Sequence, residues 1–367
     1  MGVYRKIINL ERKIEKCAFS KMVSHLEKKK ILKKEKIYKK IKLTNHQENE
    51  IQEFYKKYYG KKIDTRWHRL YQSYTGTFDK KYFPEILFSS KLEPLLNDRT
   101  LCNILEDKAF VELLYKDVDN LKIPKTYVLS CNNILYDGDR RLISRDKALE
   151  ILENSGKIII KKTVDSSSGK GVQLCNFKNG KDIISGLSIK KIIDNFDKNF
   201  IIQKQIKNCK ELAALNSSSL NTLRIITYIC NKKIFHMPLA LRIGRNGNYV
   251  DNMHANGLGI GLNEEGKLKP IAYSEFQETF TEHPDSHIKF DGYVIPKIKE
   301  VLKIAYRCHE KTPYVNIISW DFAIDEFENI NLIEANMYGH GIWFPQMVNG
   351  ESAFGDNTEY MLSLIRK

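Results

Sequence analysis

No Cys-x-x-Cys pair, long apolar run or familiar catalytic signature occurs in this sequence. Its seven cysteines (Cys17, Cys102, Cys131, Cys175, Cys209, Cys230, Cys308) are odd in number and scattered. That argues against a disulfide framework or structural zinc, and fits reduced thiols in the cytoplasm. No uninterrupted apolar stretch approaches the ~18 residues of a membrane-spanning helix. Arg5, Lys6, Glu11, Arg12 and Lys13 interrupt any signal-peptide core. The kinase signatures His-Arg-Asp and Asp-Phe-Gly are missing, as are a Gly-x-Ser-x-Gly elbow and His-Glu-x-x-His. Internal repeats are absent too. Proline and glycine do not occur from Val3 to Tyr59, so nothing there breaks a helix.

At 367 residues with 42% hydrophobic residues, the chain can build two domains, or one large domain with an extension. Its net charge of +15 is unevenly placed. Residues 1–62 hold 19 Lys and Arg against 7 Asp and Glu, whereas the remainder holds 41 against 38. The basic character therefore belongs to an N-terminal arm. Leu10, Ile14, Phe19, Val23, Leu26, Ile31 and Ile37 recur there at broken helical spacing, which predicts one or two basic helices. Such an arm suits either an anionic membrane surface, at the inner face of the membrane, or packing on the body. Nucleic acid is disfavoured: Tyr38 is the sole aromatic of the lysine-rich stretch Lys28 to Lys42, and the body is near neutral.

Residues 63–100 read as an irregular aromatic connector (Trp67, Tyr71, Tyr74, Tyr82, Phe83). From residue 101 strands and helices alternate. Helices are expected over Asp107 to Asn120, Arg145 to Asn154, Ile184 to Phe196 and Pro296 to Glu310. Strands are expected over Lys125 to Ser130, Lys157 to Thr163, Gly171 to Phe177, Phe200 to Gln205, Leu220 to Cys230 and Lys233 to Ile243. Turns at Gly244 to Gly247 and Asn263 to Gly266 pair strands as hairpins, so an α+β fold of two lobes fits better than a doubly wound sheet. The lobes divide as 101–199 and 200–367.

The most informative segment is the closing pair, Ile317 to Ile324 and Ile330 to Asn336, joined by a polar turn from Asp325 to Asn329. Alternation puts Glu334 and Asn336 on one face, and Asp321 on the partner strand can join them. Two carboxylates and an amide oxygen form a hard-oxygen site suited to Mg²⁺; the plainer alternative is a hairpin with solvated acids. Lys161 follows the apolar run Ile158-Ile159-Ile160, and a buried lysine needs a partner. The loop after it, Asp165-Ser166-Ser167-Ser168-Gly169-Lys170-Gly171, lets amides approach phosphate. It is not a Walker A loop, since the first glycine is absent and Gly171, not Ser or Thr, follows Lys170. Gly257-Leu258-Gly259-Ile260-Gly261 precedes a turn and no helix, which rules out a dinucleotide fingerprint. Arg224 and Arg242 sit at polar positions of consecutive strands, where their planar forks suit carboxylate or phosphate, or merely structural acids.

Taken in order, Lys108, Lys161, the Ser/Gly loop, Glu211, Arg224, Arg242, Asn252, Asp321, Glu334 and Asn336 resemble the ATP-grasp superfamily over roughly residues 101–345. The wider wording, including Tyr82-Phe83-Pro84-Glu85, Asn221-Thr222-Leu223-Arg224 and His283-Pro284-Asp285, looks most like its sugar-transfer-associated group. Asn252-Met253-His254 is similar to the ribosomal-protein glutamate ligase branch. This resemblance implies an ATP-grasp fold of two α+β lobes with nucleotide between them, preceded by the basic helical extension. It implies that Lys108 and Lys161 hold ATP phosphates under a lid of Ser167, Ser168, Gly169, Lys170 and Gly171. Gln203, Lys204 and Ile206 would lie beside adenine, and Glu211 on the ribose. Asp321, Glu334 and Asn336 would hold one or two Mg²⁺. Arg224 and Arg242 would be catalytic, and Asn252 and His254 would bind substrate. Three positions depart from the family pattern: Lys162 follows the strand lysine where proline is common, Gln203 replaces a hinge glutamate, and Ser319 stands where an arginine is usual. The implied activity joins a carboxylate to an amine through an acyl phosphate, on small-molecule or glycan-linked substrates for surface polysaccharide. Phosphotransfer to a sugar or alcohol, and a non-catalytic nucleotide-binding module, are the alternatives.

Overall fold

A computed structural model describes residues 2–164 and 171–366, with backbone alone for residues 2–10, 12, 13 and 16. Fifteen strands follow one another in the described chain. They are β1 (Leu121–Lys122), β2 (Thr126–Cys131), β3 (Ile134–Asp137), β4 (Gly156–Lys162), β5 (Val172–Lys178), β6 (Lys181–Asp182), β7 (Phe200–Lys204) and β8 (Thr222–Cys230). The remainder are β9 (Lys233–His236), β10 (Leu239–Ile243), β11 (Leu258–Leu262), β12 (Ala272–Tyr273), β13 (Thr279–Phe280), β14 (Ile317–Ile324) and β15 (Ile330–Asn336).

Two sheets result. The smaller runs β3-β2-β7-β4-β5-β6 and is antiparallel throughout. Its β-branched run Ile158 and Ile160 packs with Val128, Phe177 and Ile202 under the helices Arg145–Leu152 and Ile189–Asn195. The larger sheet runs β1-β15-β14-β8-β10-β11-β12-β13, with β9 also on β8. Helix Ile298–Glu310 lays Ile298, Val301, Leu302, Ile304, Ala305 and Cys308 on that sheet, an apolar stripe at helical spacing. Val111, Tyr115, Val118 and Leu121 join the same core, so the sheet of the smaller lobe begins at Thr126.

Four expectations change. The span 63–100 is largely helical, with Arg66–Thr75, Glu85–Leu87, Phe88–Leu92, Glu93–Leu96 and the start of Arg99–Leu105, and its aromatics other than Phe78 are buried. The helix expected over Asp107 to Asn120 shrinks to Val111–Tyr115, because the Asp107 side chain caps a turn at Ala109 and Asn120 takes φ +60°. The strand expected over Lys233 to Ile243 divides into β9 and β10 around Pro238, which has no N–H for a ladder. The helix expected from Ile184 starts at Ile189, capped by Ser188.

The basic arm is helical over Gly2–Lys33, Glu35–Tyr38 and Asn45–Tyr58, the last opened by a Thr44/Gln47 capping box. It packs on the body. Ile31, Ile37 and Tyr38 meet Tyr71 and Met347, while Ile51, Phe54 and Tyr55 meet Phe354 and Met361. No helix among the described residues is long and apolar enough to cross a membrane.

Candidate active site

Between the two sheets lies a cleft of about 920 Å³. The pairing of β14 with β15 builds its floor. Asp321 opposes Glu334 and Ser319 opposes Asn336, so all four side chains share one face. The register slips between Asp321 and Phe322, leaving Ile333 as an extra residue on β15. A bulge re-aims the backbone, and here the Ile333 carbonyl accepts a 3.3 Å hydrogen bond from Lys161 Nζ across the cleft. Lys108 Nζ lies 2.7 Å from Glu334 Oε1. The Lys108 amide also donates to Thr163 O at 3.2 Å, tying this segment to the end of β4.

Asp321 is the centre of a buried ion cluster. Arg224 Nε approaches its Oδ1 to 2.7 Å, and Arg242 Nη2 its Oδ2 to 2.9 Å. The cause is register, since Asp321 sits opposite Arg224 on β8, and Thr222 of β8 sits opposite Arg242 on β10. Arg242 donates to Thr222 Oγ1 at 2.8 Å and faces Asp251 at 3.6 Å; Thr222 in turn hydrogen-bonds Asp251. Thr222 and Asp251 carried no predicted role, and an alternating polar face on β8 was the available signal.

Electrostatics follow from burial. Desolvation draws the Lys161 amine down to about 8, helped by Lys108 and resisted by Glu334 and Asp321. Burial would raise Glu334, but Lys108, Lys161 and Arg224 outweigh it and hold the carboxyl below its ordinary range. Burial also lowers Arg224, whereas Asp251 and Asp321 overcome burial at Arg242 and raise it.

Of the remaining expected positions, Gln203, Lys204 and Ile206 line the cleft beside apolar Pro124, Ile159 and Leu174. The Gln203 amide turns to Pro124 O at 3.1 Å. Asn252 and His254 also line the cleft, where the rings of His254, Trp343 and Phe344 neighbour one another. Glu211 starts helix Lys210–Leu215 and is not among the cleft-lining residues. Gly171 takes φ +75° directly before β5. Ser167, Ser168, Gly169 and Lys170 lie outside the described residues.

Residues 87–360 match the family model described as sugar-transfer associated ATP-grasp. The chain belongs to that family. Its fold is the ATP-grasp fold, in two α+β lobes. No curated protein matches the sequence. Among solved structures, D-alanyl-alanine synthetase A from Vibrio cholerae is 18% identical with TM-score 0.40, covering 71% of this chain and 64% of that one. N5-carboxyaminoimidazole synthetase from Staphylococcus aureus, complexed with ADP, is 16% identical with TM-score 0.37, covering 64% and 45%. The biotin carboxylase domain of Hydrogenobacter thermophilus 2-oxoglutarate carboxylase, complexed with MgADP, is 12% identical with TM-score 0.41, covering 74% and 47%. The chain thus spans less than two thirds of the length of each.

The donor set of this ATP-grasp site suits a hard divalent cation. Glu334 and Asn336 bring a carboxylate and an amide oxygen to one face of β15, with the Glu334 side chain 27% exposed in the cleft, while the adjacent Asp321 has both oxygens engaged by Arg224 and Arg242. Charge balance points the same way. The described lining contains Arg99, Lys108, Lys161, Lys204, Arg224 and Arg242 against Glu106, Asp107, Asp251, Asp321 and Glu334. One excess positive charge does not neutralise a triphosphate, and a bound divalent cation would offset much of the remainder.

Proposed function

We propose that this protein is an ATP-dependent carboxylate–amine ligase that works through an acyl phosphate, on a sugar or amino acid destined for surface polysaccharide. The observation that carries this reading is the convergence of Lys108, Lys161, Arg224 and Arg242 with Asp321, Glu334 and Asn336 in one cleft between two sheets. Lys108 and Lys161 hold phosphate oxygens, and the apolar wall beside Gln203, Lys204 and Ile206 takes adenine. Arg224 and Arg242, locked by Asp321, present guanidinium groups to the transferring phosphoryl group and the carboxylate it joins. Phosphoryl transfer needs little beyond charge placement and in-line geometry, which these side chains provide. Mg²⁺, when held by Asp321, Glu334 and Asn336, supplies Lewis-acid polarisation. Asn252 and His254 bind the second substrate.

The arm supports a second element of the reading, docking on an anionic bilayer from the cytoplasmic side. Helix Gly2–Lys33 leaves Ile14, Met22, Leu26 and Leu32 exposed among exposed Lys21, Lys28, Lys29 and Lys33. The test of the ligase is purified protein with Mg-ATP and candidate acid and amine pairs, read as amine-dependent ADP release and product mass. Glu334→Gln is expected to cut turnover by about 100-fold or more; a variant with unchanged turnover and ATP binding would refute the site assignment.

A further inference from the structure

The cleft is also lined by a short turn, Met253–Ala255, that begins beside the arginine cluster: Asp251 faces Arg242, and Asn252 Oδ1 caps the turn by accepting from the His254 amide at 2.9 Å. His254 is 48% exposed and lines the cleft. Its Nδ1 lies 2.7 Å from Glu275 Oε2, and its Nε2 has no hydrogen-bond partner among the described residues. Glu275 is 18% exposed and is met from the other side by Lys34 of the N-terminal arm, at 3.7 Å. Lys34 also sits 4.5 Å over the Trp343 ring, whose centroid lies 6.0 Å from that of His254. Two cleft-lining rings are therefore held by one lysine and one carboxylate outside the cleft. Burial would raise the Glu275 carboxyl, but the bond to His254 and the charge of Lys34 outweigh it and hold the group below its ordinary range.

An ionised carboxylate at Nδ1 fixes the neutral imidazole with its proton on that nitrogen and leaves the Nε2 lone pair open. We propose that His254 is the catalytic proton acceptor for the nucleophile of the second substrate, with Glu275 and Lys34 as its positioning residues. This rests on the ligase reading. As the amine nitrogen bonds to the acyl carbon, one N–H proton passes to Nε2. The bond from that carbon to the phosphate oxygen then breaks, and inorganic phosphate leaves with the electron pair. The arm is thereby part of the acceptor half of the site, since Lys34 belongs to it.

The test uses the full chain labelled with ¹⁵N-histidine and long-range ¹H–¹⁵N spectra, with His254→Gln to identify the signal. Neutral His254 is expected as the Nδ1-protonated tautomer, and Glu275→Gln is expected to lower that share about twofold. With MgATP, hydroxylamine as nucleophile and D-alanine, L-glutamate and D-glucuronate as acids, His254→Gln is expected to slow ADP release about 100-fold. An Nε2-protonated tautomer in the unmodified chain overturns the proposal without any variant, and so does undiminished ADP release in His254→Gln. Calorimetry of the unmodified chain with MgADP separates the two readings: no nucleotide binding defeats the ligase, whereas binding with the wrong tautomer defeats this dyad alone.

Discussion

Lys161 gives the sharpest handle on the site, because its amine titrates within reach of ordinary buffers. It is 9% exposed, and burial with the neighbouring Lys108 draws it from its usual value down to about 8. Phosphate placed beside it favours the charged form, so nucleotide binding is coupled to protonation of Lys161. The sign follows. Below about pH 8 the free chain already carries the charge and affinity is flat; above it, each binding event must take up a proton and affinity falls tenfold per pH unit. Between about pH 7.5 and about pH 9.5 the protonated share drops about 25-fold, equivalent to about 2 kcal/mol of binding free energy. ADP keeps its own charge over that range. Calorimetric titration with MgADP at both pH values, repeated in buffers of different ionisation enthalpy, measures the loss and the proton uptake together. Lys161→Arg stays charged and should show a flat profile. A wild-type affinity that changes less than about threefold, or an arginine variant with the same slope, would refute the assignment of Lys161 to phosphate.

Three further outcomes are expected. Asp321→Asn removes the carboxylate shared by two buried arginines and should destabilise the chain by about 3–5 kcal/mol, lowering the melting temperature by roughly 2 °C per kcal/mol; an unchanged melt would contradict the cluster. Burial, with Glu27 beside Glu85, raises the Glu85 carboxyl to about 8, and burial raises Glu93 likewise to about 8. The folded chain therefore retains protons that the unfolded chain has released. Stability should fall as pH rises from about 4.5 to about 8, by at most about 1.4 kcal/mol per pH unit for each group, and Glu85→Gln with Glu93→Gln should flatten urea midpoints over that window. Lastly, co-sedimentation with phosphatidylglycerol vesicles should drop at least about threefold in the triple variant Ile14→Ser, Met22→Ser, Leu26→Ser, and should weaken with salt; equal sedimentation would remove the membrane from the account.

The parts of this molecule legible in advance were those governed by local pattern. Alternation placed Glu334 and Asn336 on one face, whereas Asp321 joins them only through the slip that leaves Ile333 extra; the Ile158 to Ile160 run ahead of Lys161 announced a strand ending at the cleft. The ion cluster was not legible, because the meeting of Arg224 and Arg242 at Asp321 depends on the order β14-β8-β10. Neither was the bulge at Ile333, which a two-residue period cannot reveal. The span 63–100 looked irregular because its helices run 3–10 residues and its aromatics follow no single period. Long-range support escaped for the same reason. Glu85, Glu93 and Glu106 accept the amides of Ile342, Gly339 and Met337, fixing the loop that follows β15, yet each lies more than 200 positions from its partner. Lys34 read as one basic residue among many; its tie to Glu275 and Trp343 exists only once the arm is packed.

The most direct measurement is a crystal structure of the full chain grown with ADP and Mn²⁺, read by the anomalous signal of the metal. A Mn²⁺ peak is expected against Glu334 and Asn336, beside Asp321, with the diphosphate spanning Lys108 and Lys161. A metal bound elsewhere, or nucleotide outside the cleft between the two sheets, would contradict it.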